Sequence, residues 1–339
     1  MSANEIPGRP YRPAPPVPER LIDWPADFGT RFAIFVDTEE EFDWNAPLTR
    51  DAHGVAAITA LPAAHARFAT RGVPLTYMVD YPIATEPVAV EAMRAILDQG
   101  HAAIGTQLHP WVNPPLDEAL TPYNSYVGNL PAALEAAKLD ALTDAITRAF
   151  GAPPRAYRAG RYGIGPNTLE LLAARGYRLD TSMRAGYDYS TDGGPDFAAI
   201  GSHAFRAGPE GKIIELPLTS VFTGRMRRAG AGLYRKLGAV PRARGLFARA
   251  GLLSRVALTP EDMPLADALE AIRVALEEGQ RVLNFSFHSP SVAPGYTPYV
   301  RDAGGLAAFH GWWDAVLDLL DSRGVRPASL DELIAAADA

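Results

Sequence analysis

The stretch Phe32-Ala33-Ile34-Phe35-Val36-Asp37-Thr38-Glu39-Glu40-Glu41 decides the fold. Its apolar residues run without polar alternation into an acidic cluster. Such a run reads as a strand buried on both faces. The acids then lie where the strand emerges, which in a parallel α/β barrel is the rim where chemistry collects. The other strands are therefore read for how they end.

Val73 to Val79 reads as a second strand. His101 to Thr106 is a third, running into Gln107-Leu108-His109-Pro110-Trp111. A fourth lies near Arg155 to Gly160 and continues into Arg161-Tyr162-Gly163; a fifth ends in Leu179-Asp180-Thr181-Ser182. Ile213 to Thr219 and Val282 to His288 add two more, and Val325 opens a short last strand. Helical patterns separate them: Gly54 to Gly72, which Pro62 should kink or divide, Glu86 to Gln99, Leu130 to Phe150, Asn167 to Arg175, Leu265 to Glu278 and Gly304 to Ser322. A final helix takes Ser329 or Asp331 as its cap. Strands alternating with helices, without an internal repeat, predict a single α/β barrel-like domain over residues 31–339 with seven or eight strands.

Two segments stand apart. Residues 1–30 form a Pro-rich arm, with Trp24 and Phe28 expected to pin its end. Residues 222–260 carry nine basic residues and no acidic one, punctuated by leucines. This inserted basic helical segment suits a solvated subdomain, an anionic polymer or membrane surface, or a subunit contact.

Composition narrows the function. A net charge of -7 argues against nucleic acid as the main partner. The absence of cysteine excludes disulfides and thiolate metal sites, leaving His, carboxylate and amide groups to hold a metal. The first residues lack the apolar core of a signal peptide, and no run approaches the roughly 18 apolar residues of a membrane helix. The expectation is a cytoplasmic chain without a transmembrane segment.

Five strand ends carry groups able to do chemistry: Asp37/Glu39, Gln107/His109, Arg158/Arg161, Asp180 and His288. Asp37 and Glu39 are two apart, so on a continuing strand they face one way, one for a cation and one for protons; the plainer alternative is an acidic helix cap. Arg158 beside a carboxylate would lower its pKa, and Asp180 beside His288 would orient the imidazole and raise its pKa; structural ion pairs are the alternative. His109 and His288 are read as ligand or proton carrier against a buried structural role, whereas His53, His65, His101, His203 and His310 take the structural reading. Trp44, Trp111 and Tyr162 fall beside these groups, where aromatics suit sugar faces and packing equally.

The ordered set of motifs resembles the polysaccharide deacetylases with the NodB homology domain, carbohydrate esterase family 4. Asp37-Thr38-Glu39-Glu40-Glu41-Phe42-Asp43-Trp44, Leu108-His109-Pro110-Trp111 and the stretch from His288 to Val300 look most like its WalW-type members. The resemblance covers about residues 30–220 and 280–335. It implies a distorted (β/α)-barrel and a hydrolase of non-peptide C–N bonds that uses a divalent metal such as Zn²⁺ to remove N-acetyl groups from an amino-sugar glycan or precursor. It implies Asp37 as base, Glu39 and His109 as metal ligands, Arg158 tuning the base, Asp180 tuning the acid and His288 as general acid. Trp44, Trp111, Arg161 and Tyr162 would meet the carbohydrate. Gln107 stands where the family has its first metal histidine, and its amide oxygen is a weaker, harder ligand than imidazole. That departure motivates the alternative of a catalytically lapsed barrel that binds carbohydrate or serves as a scaffold. A barrel hydrolase acting on a small amide is the third reading.

Overall fold

A computed structural model of the chain describes residues 9–43 and 46–339. Eleven strands are formed among the described residues: β1 (Arg31–Thr38), β2 (Leu75–Val79), β3 (Ala102–Leu108), β4 (Ala156–Ala159), β5 (Leu179–Asp180), β6 (Phe205–Ala207), β7 (Ile213–Glu215), β8 (Ser220–Thr223), β9 (Ser254–Ala257), β10 (Val282–His288) and β11 (Arg326–Pro327). The main sheet runs β10-β1-β2-β3-β4-β5-β7-β6, with β11 added beside β1. Pairing is parallel from β10 through β7, and β6 closes the edge antiparallel. The expected distorted parallel barrel is thus formed as a curled sheet.

Between β7 and β10 a single backbone bond, Thr219 N–H to Asn284 O at 3.3 Å, is joined by side-chain bonds. The Asn284 amide donates to Leu216 O at 2.9 Å and to Thr181 Oγ1 at 2.8 Å, and Thr219 Oγ1 accepts from Asn284 N–H at 2.9 Å. These bonds satisfy backbone groups that a strand partner would otherwise take.

Alternation along each strand separates two cores. Phe32, Ile34 and Val36 of β1 pack with Leu283, Phe285 and Phe287 of β10 beneath the helices. Ala33 and Phe35 join Met78, Ala156, Leu179, Ile214 and Val282 on the concave face. Trp24 and Phe28 of the arm, with Leu330, Leu333 and Ile334 of the last helix, complete that inner core. Ser329 caps this helix through a capping box with Glu332. Pro62 stands at the start of a shortened helix, Leu61–Ala69, preceded by a 3-10 turn, because its ring is tolerated in a first turn and not in an interior.

The basic segment differs from a purely helical insertion. β8 and β9 pair as an antiparallel ribbon, and the helices Gly230–Gly238 and Ala243–Arg249 sit between them. Neither helix contains a buried residue.

Candidate active site

Strand parity assembles the site. The concave-face run of β1, Ala33 and Phe35, ends on Asp37. On β10, which begins with Val282 on the same face, it ends on His288. The register sets Asp37 opposite His288, and Gln107 of β3 opposite Arg158 of β4. These four side chains, with Glu39 and His109, line a cavity of about 560 Å³, within the usual range for a small-ligand site. Arg161 and Tyr162, both at positive φ (54° and 60°), border it, an unusual backbone state for bulky residues that recurs at functional sites.

One half of the site is arranged around Asp37 and His288. Arg158 Nη1 donates to Asp37 Oδ1 at 2.5 Å, and its other nitrogens reach the carbonyl and hydroxyl of Thr181. Asp37 Oδ2 lies 3.7 Å from His288 Nε2. On the far side of the ring, His288 Nδ1 is 2.6 Å from Glu261 Oε2. Glu261 also accepts the His288 backbone N–H and the Ser291 hydroxyl, which fixes its carboxylate. Burial works against the imidazolium, but the carboxylates of Glu261, Glu39 and Asp37 outweigh it and raise the His288 pKa to about 10. At neutral pH this ring carries a proton on both nitrogens.

The other half is Glu39, Gln107 and His109. Glu39 Oε2, Gln107 Nε2 and His109 Nε2 form a triangle with sides of 3.0, 3.2 and 3.5 Å. A cation with bonds of about 2.1 Å spans ligand atoms roughly 3.0 to 3.4 Å apart, so the spacing suits one. The Gln107 amide already turns its NH₂ toward both neighbours and so supplies the positive edge that a cation would supply. Glu39 Oε1 and Gln107 Oε1 are buried without a hydrogen-bond donor. Half a turn of the amide would direct Gln107 Oε1 into the triangle and give an oxygen, oxygen, nitrogen donor set. The residues therefore fit a divalent cation, at the cost of the two bonds the NH₂ now makes. Burial raises the Glu39 pKa to about 8, against the opposing pull of His288 and His109.

Behind this triangle lies a hydrogen-bonded buttress. His109 Nδ1 and Trp111 Nε1 each contact a Glu40 carboxylate oxygen at 2.7 Å. His109 therefore donates from Nδ1 and accepts the Gln107 N–H at Nε2. The Trp111 ring stacks on His109 with centroids 4.4 Å apart. Glu40, Asp80 and His109 form a buried group of metal-holding composition, with candidate ligand atoms within 4.8 Å of one another. Those atoms are already engaged: Asp80 accepts from the backbone N–H groups of Glu40 and Ile83. Burial raises both carboxyl pKa values. Gly160, at the end of β4, leaves room for His109, since a Cβ there would overlap the imidazole.

Asp180 requires a correction. It was expected to orient His288, but Asp180 Oδ1 accepts from Ser182 N–H and Oγ–H. Leu179 takes the concave face of β5, so Asp180 points the opposite way; Thr181 instead reaches Arg158. Glu261 is the carboxylate at His288. Trp111 also differs from an open aromatic platform, because it is 1% exposed and engaged with both Glu40 and His109. Arg161 bonds Ser125 and lies over the Tyr126 ring at 4.2 Å; Tyr162 stacks on Tyr189. Trp44 lies outside the described residues. Glu40, Asp80 and Glu261 were not singled out from the sequence: Glu40 is one acid within a run of three, and the loop holding Glu261 carries no strand-end signal. His65 is structural, bridging the Tyr77 hydroxyl and Gly100 O at 2.9 Å each.

No family model and no curated protein sequence matches this chain. Among solved structures, it is similar to a candidate glycoside hydrolase/deacetylase from Parabacteroides distasonis, at 12% identity over 92% of this chain and 70% of that one, with a TM-score of 0.52. A candidate polysaccharide deacetylase from Mycobacterium smegmatis is similar at 18% identity over 94% and 98% of the two chains, with a TM-score of 0.49. The chitin deacetylase of Colletotrichum lindemuthianum is similar at 14% identity over 92% and 89%, with a TM-score of 0.41. The first of these likenesses bears on the fold, that of an α/β domain with a curled parallel sheet, and does not extend to the activity.

Proposed function

We propose that the chain is a metal-dependent, WalW-type hydrolase that removes N-acetyl groups from an amino-sugar glycan or its precursor. The observation that carries this reading is the pair Asp37 and His288, 3.7 Å apart on the floor of the cavity, each fixed by a partner on its other side. Two groups so placed can take a proton on one side of an acyl carbon and return one on the other.

Asp37 accepts a proton from the attacking water as the water oxygen bonds to the acyl carbon. Arg158 holds the other Asp37 oxygen and fixes its direction. His288, protonated and steadied by Glu261, gives its Nε2 proton to the sugar nitrogen as the C–N bond breaks. The products are acetate and the free amine; Asp37 then returns its proton, by way of solvent, to His288. Glu39, Gln107 and His109 are the residues that would hold a divalent cation. The chemistry such a cation supplies when bound is Lewis acidity toward an acyl oxygen. The half-buried rings of Tyr162 and Tyr189 on the cavity wall support a carbohydrate substrate, whose C–H faces pack on aromatic rings.

One observation favours a second reading, a lapsed barrel that binds carbohydrate or acts as a scaffold: the Gln107 amide satisfies both would-be ligands without a cation. Acetate release from N-acetylated oligosaccharides, with and without added Zn²⁺ or Co²⁺, separates the two. Release that is abolished in Asp37→Asn is expected. Saturable oligosaccharide binding with no acetate from any of them, in protein shown to carry the metal, would overturn the enzymatic reading.

A further inference from the structure

Six cations of the basic segment, Arg225, Arg228, Arg235, Lys236, Arg242 and Arg249, have no acidic partner among the described residues. All six are exposed. The remaining three are used internally. Arg227 pairs with Glu277 at 3.0 Å, Arg244 bonds Tyr234 O, and Arg255 bonds Gly186 O. A chain of net charge -7 thus gathers nine cations and no anion in one projecting ribbon and helix pair. Large apolar side chains stand exposed among these cations, where a solvated subdomain has no use for them: Leu246 at 68%, Val240 at 57% and Met226 at 40%.

The pair is also fastened to the cavity wall. Arg244 lies over Tyr234 at 4.3 Å, and Arg255 lies between Tyr234 at 4.9 Å and Tyr187 at 3.4 Å. Arg184 continues from Tyr187 at 4.0 Å to Tyr162 at 5.4 Å, and both Arg184 and Tyr162 line the cavity. Alternating cations and ring faces attract one another, so this ladder ties the helices to the wall.

We infer that the basic helix pair is a peripheral anchor for an anionic lipid surface. Unpaired cations supply the attraction to lipid headgroups, and Leu246, Val240 and Met226 supply apolar area for the acyl boundary. An anionic polymer would use the cations and leave those apolar side chains in water, so lipid is the better-matched occupant. No helix among the described residues is long and apolar enough to cross a membrane, so the contact is one of lying on the surface. The inference does not depend on what the cavity hydrolyses.

The test is flotation of the full chain with vesicles of phosphatidylcholine alone and of phosphatidylcholine with about a quarter phosphatidylglycerol. Binding to the anionic vesicles only, weakened by salt, is expected. Each charge reversal, as in Arg235→Glu, Lys236→Glu and Arg242→Glu, should weaken it about 25-fold, at about fivefold for each of the two charge units changed. The uncharged double change Leu246→Ser with Val240→Ser should weaken it by about tenfold. These side chains are exposed, so thermal melts should not move; if the reversals did destabilise the chain, Arg235→Gln with Lys236→Gln gives the same reading at smaller amplitude. Equal binding to both vesicles, or binding to neither, overturns the anchor. Anionic binding that ignores the Leu246 and Val240 changes also overturns it, in favour of a purely electrostatic polyanion contact.

Discussion

The two halves of the cavity floor solve the same problem in different ways. Asp37 and His288 are each held from behind, by Arg158 and Glu261, and face each other 3.7 Å apart. Glu39, Gln107 and His109 instead turn their atoms on one another, and the Gln107 NH₂ bonds both of the others. A group braced from outside the site keeps its direction toward substrate, whereas the ligand trio must give up the bonds of the Gln107 amide before it holds a cation. The proton-handling half is therefore ready, and the ligand half is in balance between its own amide and a cation.

The sharpest way to break this contrast is to remove the ready half. Asp37→Asn and His288→Ala should each lower kcat by about 10²- to 10⁴-fold, the usual worth of a positioned acid or base. Metal retention after dialysis should be unchanged in both, because neither residue belongs to the triangle. Loss of the metal along with the activity would show that the two halves are one unit.

Gln107→His addresses the other half. An imidazole offers a softer nitrogen lone pair and no competing NH₂ bridge. Affinity for Zn²⁺, measured by competition with a chelator, should rise on the order of tenfold, about 1.4 kcal/mol of binding free energy. An unchanged affinity would mean that the amide rotates at no cost and that the triangle is not closed against a cation.

Glu261→Gln weakens the bracing of His288. The His288 pKa, about 10 with Glu261 in place, should fall by at least about one unit, and the alkaline limb of the pH–rate profile should move down with it. The sign for stability follows from a folded pKa above the unfolded value of about 6.5. The stabilisation is fully present below pH 6.5 and is lost as pH rises toward 10, so wild type and variant should converge in melting temperature in alkali. A variant that lost activity without any shift of the profile would assign Glu261 to structure alone.

How much of this was legible in the sequence turned on parity. Asp37, Gln107, Arg158 and His288 end strands whose alternation is long enough, or paired closely enough, to bring them to one face. β5 has two residues, too few to reveal parity, so Leu179-Asp180-Thr181 gave Asp180 the place that Thr181 occupies. Glu261 could not be found by looking at strand ends, because it belongs to a loop brought to His288 by the ribbon of β8 and β9. Glu40 was hidden in a different way. It follows Glu39 in an acidic run, and nothing local distinguishes a carboxylate that will be 1% exposed from a solvated one. What separates them is the donor each meets, and the Glu40 donors, His109 and Trp111, are about 70 residues away in the chain.

The smallest effect concerns Trp111, where the sequence allowed a sugar platform and the structure gives a buttress. Trp111→Phe keeps an aromatic face against His109 and removes the indole N–H from Glu40 Oε1. If the ring serves only to hold Glu40 and His109, the change should cost about 1 to 2 kcal/mol of stability, the net worth of one buried bond to a carboxylate. KM should then stay within about twofold, because a ring that is 1% exposed has no face left for substrate. A KM that rose with an unchanged melting temperature would place Trp111 back among the residues that meet the sugar. The ligand half would then be open on the side where the hydrogen bonds now close it.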